Sequence, residues 1–190
     1  MLTIRAALPL EAAALAELAA ETFPLACPPG LAAEDIEQFI ATQLSSEVFA
    51  RHLRTATKSV IVAERDGQLL GYALLDLQPS RGEIRSLLAG SHAVELNKFF
   101  LLASEHGAGT AAALMRAVLD AAAASGADTI WLGVSRENAR ANRFYEKHGF
   151  ALVGTKAFTV GSQTLPEDHV RELVLAPESR MNEGATRYPE

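Results

Sequence analysis

The sequence predicts a single α/β domain built on a mixed sheet, and three features predict it. A strand (Ala93 to Leu102), a glycine-bearing turn, a helix to about Ser125 and a second strand (Thr129 to Val134) succeed one another without a break. Two strands joined in this way lie parallel, with a right-handed crossover. Ahead of that unit, Asp66-Gly67 stands between Val60-Ile61-Val62-Ala63 and Leu69 to Leu77, the signal of an antiparallel hairpin. Before the hairpin, apolar residues recur at helical spacing in three successive segments.

Leu2 to Ala6 is short and partly β-branched, a first strand. Pro9 suits the first turn of a helix, and Leu15, Leu18, Ala19 and Thr22 repeat on one face, so a helix is expected over Pro9 to Thr22. Phe23 to Gly30 carries Pro24, Pro28 and Pro29 and reads as a loop. A second helix is expected from Ala32 to about Leu44, with Ile36, Phe39, Ile40 and Leu44 aligned, and a third from Ser46 to Thr55 behind a serine cap, Ser45 or Ser46. After the hairpin a loop through Pro79 and Gly82 leads to Ala93. Beyond the parallel pair, Asn138 to Phe150 forms a further helix, and Phe150 to Lys156 and Val170 to Leu175 read as two last strands. The expected order is β, α, α, α, β, β, β, α, β, α, β, β. The domain spans residues 1–176, and Pro177 to Glu190, polar, charged and aperiodic, is expected as a loose tail.

A chain of 190 residues holds one substantial core but not comfortably two. Hydrophobic residues at 49% with 21% charged are a globular composition. Lys and Arg number 17 against 23 Asp and Glu, and the net charge of −6 gives no electrostatic case for nucleic acid. The one cysteine, Cys27, excludes an intrachain disulfide and fits a reducing cytoplasm. No apolar run approaches the roughly 18 residues of a membrane span. The start, Met1 to Arg5, leads straight into a polar-punctuated pattern and not a signal peptide. A cytoplasmic protein with no membrane partner is expected.

Between the first parallel strand and its helix lies His106-Gly107-Ala108-Gly109-Thr110-Ala111. Small residues here leave several backbone N–H groups unpaired and aimed one way, and the helix N-terminus adds partial positive charge, so a phosphate is the natural ligand. An ordinary strand-to-helix turn with glycines for geometry would carry the same letters. Gly107, Gly109 and Ala112 also satisfy Gly-x-Gly-x-x-Ala, the dinucleotide fingerprint, with Glu137 near the place of the ribose acid. That fingerprint usually opens a doubly wound sheet. Here three helices and a hairpin precede the turn, and only one βα unit follows.

The same hexapeptide, followed by Leu114-Met115, resembles the pyrophosphate loop of the Gcn5-related N-acetyltransferases, Gln/Arg-x-x-Gly-x-Gly/Ala. His106 replaces the usual Gln or Arg, and Ala103 stands where a proline is common. Neither change removes a backbone donor. A second block, Asn138-x-x-Ala141-x-x-Phe144-Tyr145-x-x-x-Gly149-Phe150, is similar to this family's asparagine, tyrosine and Gly-Phe signature at every position, and the chain order over residues 2–175 fits its fold. The resemblance implies antiparallel N-terminal strands, helices on both sheet faces, and a parallel central pair splayed to admit the pantetheine arm of coenzyme A. It implies acetyl-CoA as cofactor, direct attack by a primary amine, and no metal; dimers are common among such relatives. Phe158-x-x-Gly161 through Asp168, together with Trp131-Leu132-Gly133-Val134, is similar to bacterial spermidine/spermine N-acetyltransferases, which implies a small polyamine acceptor. A protein or peptide amine, another small amine, or a non-catalytic acyl-CoA-binding module are the alternatives.

On this resemblance Phe99, Phe100 and Leu101 offer backbone groups to the pantetheine arm, and His106, Gly107, Ala108, Gly109, Thr110 and Ala111 form the pyrophosphate cradle. Asn138 and Tyr145 lie two helical turns apart, on one face and about 10 Å distant, so one extended arm reaches both. Asn138 is alternatively, or also, a helix cap, and Tyr145 alternatively a core tyrosine. Tyr145 is the candidate general acid: a phenol of pKa ~10 protonating a thiolate whose acid is ~8.5 is uphill by only ~2 kcal/mol. An alkylamine of pKa ~10.4 is neutral to about one part in 2,500 at pH 7, so a base is needed. Glu95 is the candidate, six residues before Leu101 and so on the same side of a regular strand, at the spacing where histone-type members of the family carry their base. A surface carboxylate at a strand end is the alternative. Arg136, Arg140, Arg143 and Lys147 form a stripe roughly opposite the Asn138/Tyr145 face and read as solvated, not as a clamp. Glu34, Asp35 and Glu37 either attract a polycation or complement a helix dipole. Cys27 has no support as a nucleophile, and His106 either meets a phosphate or fills the turn.

Overall fold

The computed structural model describes residues 1–28, 30–78, 80, 82–160 and 163–175; the expected tail and Gly161 of the narrower motif lie outside the described residues. Strands Leu2–Ala6 (β1), Lys58–Arg65 (β2), Gln68–Asp76 (β3), Ala93–Leu101 (β4), Thr129–Val134 (β5), Ala151–Val160 (β6) and Gln163–Val174 (β7) form one sheet in the order β1-β2-β3-β4-β5-β7-β6. Helices are Ala12–Thr22 (α1), Ala33–Gln43 (α2), Ser46–Arg54 (α3), Gly82–Leu87 (α4), Thr110–Ala124 (α5) and Ala139–Lys147 (α6). Every strand pair is antiparallel except β4 with β5, the pair joined through α5. This single parallel pair in an otherwise antiparallel sheet removes the dinucleotide-binding reading, which needs a run of parallel strands.

Alternation along β2 divides the core in two. Ile61 faces α5, whose Leu114, Met115, Val118 and Ala122 are fully buried, while Val60 and Val62 face the layer of Leu15, Leu18 and Ala19 on α1 and Phe49 on α3. Full burial of one such leucine stabilises by about 1.5–3 kcal/mol, which is why the apolar stripes and not helix propensity hold these short helices in place. At the hairpin, Asp66 and Gly67 both adopt positive φ, 52° and 84°, the conformation a two-residue connection requires to follow strand twist.

Several elements differ from expectation. Pro9–Glu11 is a 3-10 turn and not the start of the α-helix, drawn tight by the Glu11 carboxylate, which accepts from the Leu8 N–H at 2.6 Å and from Arg5. Phe23–Ala26, expected as loop, is also 3-10, with Pro24 tolerated in its first turn. Helix α4, which begins at Gly82, stands where only a loop leading to Ala93 is expected; it is short, and Ile84 and Leu87 pack on the Trp131 cluster. Strands β6 and β7 outrun their apolar stretches because they pair mainly with each other, so backbone ladders carry them past the core. Among the described residues, no helix is long and apolar enough to cross a membrane.

One irregularity bears on the site. Leu96 pairs with Leu75 and Lys98 with Leu74, so Asn97 is an extra residue, a bulge in β4. Val94 and Leu96 lie on the α5 face, and so do Phe99 and Leu101 after the bulge. The even-offset argument for Glu95 therefore fails: Glu95 and Leu101 point to opposite faces. Glu95 looks instead toward the side occupied by Lys98 and Phe100.

Candidate active site

The β4–β5 ladder runs only through Ala93↔Thr129, Val94↔Ile130 and Glu95↔Trp131. Beyond Glu95, β4 continues against β3 to Leu101 while β5 continues against β7, and the two parallel strands share no further pairs. A gap thus opens in the middle of the sheet beside Phe99, Phe100 and Leu101. Its floor is aromatic, with the Phe99 ring 5.6 Å from Phe144 and 6.3 Å from Tyr145.

At the C-terminal end of β4 the chain enters a 3-10 turn, Ala103–Glu105, then Gly107 and Gly109 at φ 85° and 84°. A Cβ at either glycine would meet nothing within 4 Å, so backbone conformation, not crowding, requires glycine here. The amides of Gly107, Gly109, Thr110, Ala111 and Ala112 donate to no acceptor among the described residues, whereas Ala113 N–H already bonds Gly109 O at 3.1 Å. These free donors at the start of α5 fit a diphosphate. The amides of His106 and Ala108 do not belong to the cradle as expected: they donate to Ala103 O and Glu105 O. The His106 ring borders the smaller cavity, and its Nδ1 accepts from Arg140 Nη1 at 2.6 Å. Burial and then Arg140 hold His106 below its ordinary pKa, so the imidazole stays neutral. Arg140, expected on a solvated stripe, is exposed but also borders the cavity beside His106; Arg136, Arg143 and Lys147 are exposed.

Under the turn lies a lock that sequence reading missed. Glu105, only 5% exposed, accepts from Arg65 at 2.8 and 3.1 Å and from Thr110 Oγ1 at 2.5 Å. Arg65, then Thr110, hold this carboxyl below the usual carboxylate range. Forty residues separate Glu105 from Arg65, so no local pattern could have paired them.

Asn138 caps α6, its Oδ1 accepting from Ala141 N–H at 3.0 Å, and it also lines the gap. Tyr145 is 7% exposed, its ring packed edge-on against Phe99, Phe144 and Phe150. Its hydroxyl has no hydrogen-bond partner among the described residues, and burial pushes the phenol up, keeping it protonated. Two cavities meet at Ala26, Phe99, Phe100, Asn138, Ala141 and Tyr145. One, of about 190 Å³, runs to His106, Gly107, Ala111 and Arg140. The other, of about 530 Å³, runs to Glu95, Lys98, Arg51, His52, Lys156 and Asp168. The phenol therefore sits where a molecule lying along the glycine turn would face one entering from the opposite side.

Glu95 lines the larger cavity, 4.0 Å from Lys156 Nζ. Gly133 makes room for that lysine, since a Cβ there would lie 2.4 Å from Lys156 Cε; the ammonium also rests over the Trp131 ring at 5.1 Å. Asp168, 8% exposed, has its carboxyl raised by burial, with Lys156 opposing. Cys27 lines the same cavity, and burial pushes its thiol up to about 11, so it is no nucleophile near neutrality. Lys98, Lys156 and the α3 residues were not foreseen: their signal is a sheet gap and a bulge, neither of which a strand pattern displays.

A gapped parallel pair, free amides at the start of α5 and a tyrosine between two cavities thus lie in one region of the fold. Residues 13–150 match the acetyltransferase (GNAT) family, and the chain belongs to it. It is an acetyl-CoA-dependent N-acetyltransferase. It is 46% identical over 162 residues, 84% of this chain and 96% of the relative, to an uncharacterized N-acetyltransferase of Mycobacterium tuberculosis (strain ATCC 25618 / H37Rv). In fold it is similar to the PaiA N-acetyltransferase of Thermoplasma acidophilum in complex with coenzyme A, with TM-score 0.71, 18% identity, and coverage of 92% of this chain and 99% of that one. It is likewise similar to YncA of Salmonella typhimurium with acetyl-CoA, with TM-score 0.63, 21% identity and coverage of 99% and 98%.

Proposed function

We propose that the chain transfers acetyl from acetyl-CoA directly to a small primary amine, with Tyr145 as general acid and Glu95 as general base. The observation that carries this is that Tyr145 lines both cavities while its hydroxyl has no partner among the described residues. Bound acetyl-CoA supplies a thioester whose carbonyl carbon accepts the amine while the C–S bond breaks. The free amides of Gly107 and Gly109 to Ala112 hold its diphosphate, and Phe99 to Leu101 and Asn138 line the path of its arm. Glu95 takes a proton from the incoming ammonium, which must be neutral to attack. Tyr145 gives its proton to the departing sulfur. Burial makes that donation harder for the phenol, but the same dry surroundings disfavour the thiolate, so the two penalties offset.

Among acceptors, a polyamine would dock on Glu95 and Asp168. Glu95 already faces Lys156, and the basic side chains Arg51, His52, Lys58, Lys98 and Lys156 line the same cavity, a poor setting for a polycation. A small amine suits the cavity volume better than a folded protein's chain does. A cytoplasmic setting fits the lone protonated thiol of Cys27. Thermal-shift measurement with acetyl-CoA against NAD, followed by thiol release with a panel of amines, tests the reading. Stabilisation by NAD alone, or tight acetyl-CoA binding with no amine turned over, would remove it.

A further inference from the structure

We propose that the acceptor is a small primary amine that also carries a carboxylate, and that Lys98 with Arg51 holds this group at the end of the larger cavity. The inference rests on the acetyl-transfer reading above and names its substrate class.

The larger cavity has an uneven charge lining. Of its basic side chains, Lys58 is ion-paired to Asp76 and Lys156 faces Glu95. Lys98 and Arg51 are left over. The Lys98 ammonium donates only to the neutral Asn97 Oδ1, at 3.0 Å, and Arg51 has no ion pair among the described residues. Both groups, with Lys58, surround one imidazole: burial first, then Lys98, Lys58 and Arg51, hold His52 below its ordinary pKa, with Asp76 opposing. Burial pulls Lys98 itself down to about 8, against Glu95 and together with Lys58. Lys98 is the partly desolvated cation of the two, Arg51 being exposed, and the Glu95 charge that opposes its burial also faces Lys156, so an entering anion relieves the remaining cost.

The bulge at Asn97 creates this arrangement, because it turns Glu95 and Lys98 toward the same cavity from one strand. An acceptor with a carboxylate at one end and an amine at the other is thus oriented before reaction. Its anion meets Lys98 and Arg51, and its amine points toward Glu95 and Tyr145. A simple amine has the second contact without the first, and a polyamine puts a positive charge beside Lys98.

The test compares matched pairs, α- and ω-amino carboxylates against the amines left by removing their carboxylate, by thiol release with the full-length enzyme. The expected result is a kcat/KM at least tenfold higher for the better carboxylated members, a preference that falls at least tenfold in Lys98→Met and in Arg51→Ala through KM. Lys98→Arg restores much of it. The preference also declines as pH rises through about 8, as Lys98 loses its charge. Failure of acetyl-CoA to stabilise the enzyme overturns the transfer reading itself. Stabilisation by acetyl-CoA with no carboxylated amine turned over, or with the plain amines preferred, overturns this inference alone. So does a Lys98→Met enzyme whose kcat falls equally for both members of every pair, which would make Lys98 a proton carrier.

Discussion

Arg65 at the end of β2 and Glu105 beneath the glycine turn meet in a two-pronged ion pair, at 2.8 and 3.1 Å. Glu105 also receives Thr110, the first residue of α5, so one carboxylate ties the hairpin to the helix whose amides form the cradle. Glu105→Gln keeps the shape but weakens these charge-assisted bonds. Steady-state kinetics should show KM for acetyl-CoA rising roughly tenfold with kcat nearly preserved, the scale of one weakened charged bond. An unchanged KM would mean the turn holds itself.

Tyr145→Phe removes a hydroxyl that has no hydrogen-bond partner among the described residues, so thermal stability should barely move. Turnover should fall by about 100-fold, the scale of a general acid, with acetyl-CoA affinity retained. Weakened affinity at normal turnover would make Tyr145 a binding residue only.

Glu95→Gln leaves the amine to lose its proton to solvent. Its rate should be low at neutral pH and climb with the free-amine fraction toward pH ~10, while the parent enzyme levels off earlier. Parallel pH profiles for the two would reassign the base.

Gly109→Glu forces a side chain onto φ 84° and adds a negative charge where a diphosphate belongs. The thermal shift produced by acetyl-CoA should vanish; the new side chain meets open space, so its cost to folding is the φ strain alone. A retained shift would place the diphosphate elsewhere.

Asp128 accepts from Ser91 Oγ at 2.6 Å and from the Ser91 and His92 amides at 2.8 and 3.0 Å, which pin the loop before β4 to the start of β5. The Ser91 hydroxyl first, opposed by burial and then aided by the two amides, lowers its pKa from 3.8 to about 2. A carboxyl with a depressed folded pKa stabilises above its unfolded value and loses that contribution as pH falls from about 3.8 through about 2. Asp128→Asn should be less stable near neutrality, and its stability should decline less steeply across that acid window in denaturant titrations.

The hairpin was legible because Asp66-Gly67 specifies its own turn. The α6 signature was legible because its residues act within one short helix. The argument that singled out Glu95 does not hold: even spacing on β4 placed it with Leu101, and the Asn97 bulge turned it to the opposite face, into the larger cavity. A bulge costs one residue and leaves no trace in an apolar pattern, so parity counts along a strand fail silently there.

By itself the sequence determined the order of elements apart from α4 and the 3-10 turns, the glycines that hold positive φ, and the asparagine and tyrosine of the α6 block, since each depends on neighbours within a turn or two. Tertiary structure alone decided that β4 and β5 part after Glu95, that Arg65 reaches Glu105, and that Lys98 and Arg51 share a cavity with Tyr145. Those facts join residues from distant strands and helices, and only the packing of the two apolar layers against one sheet brings them together.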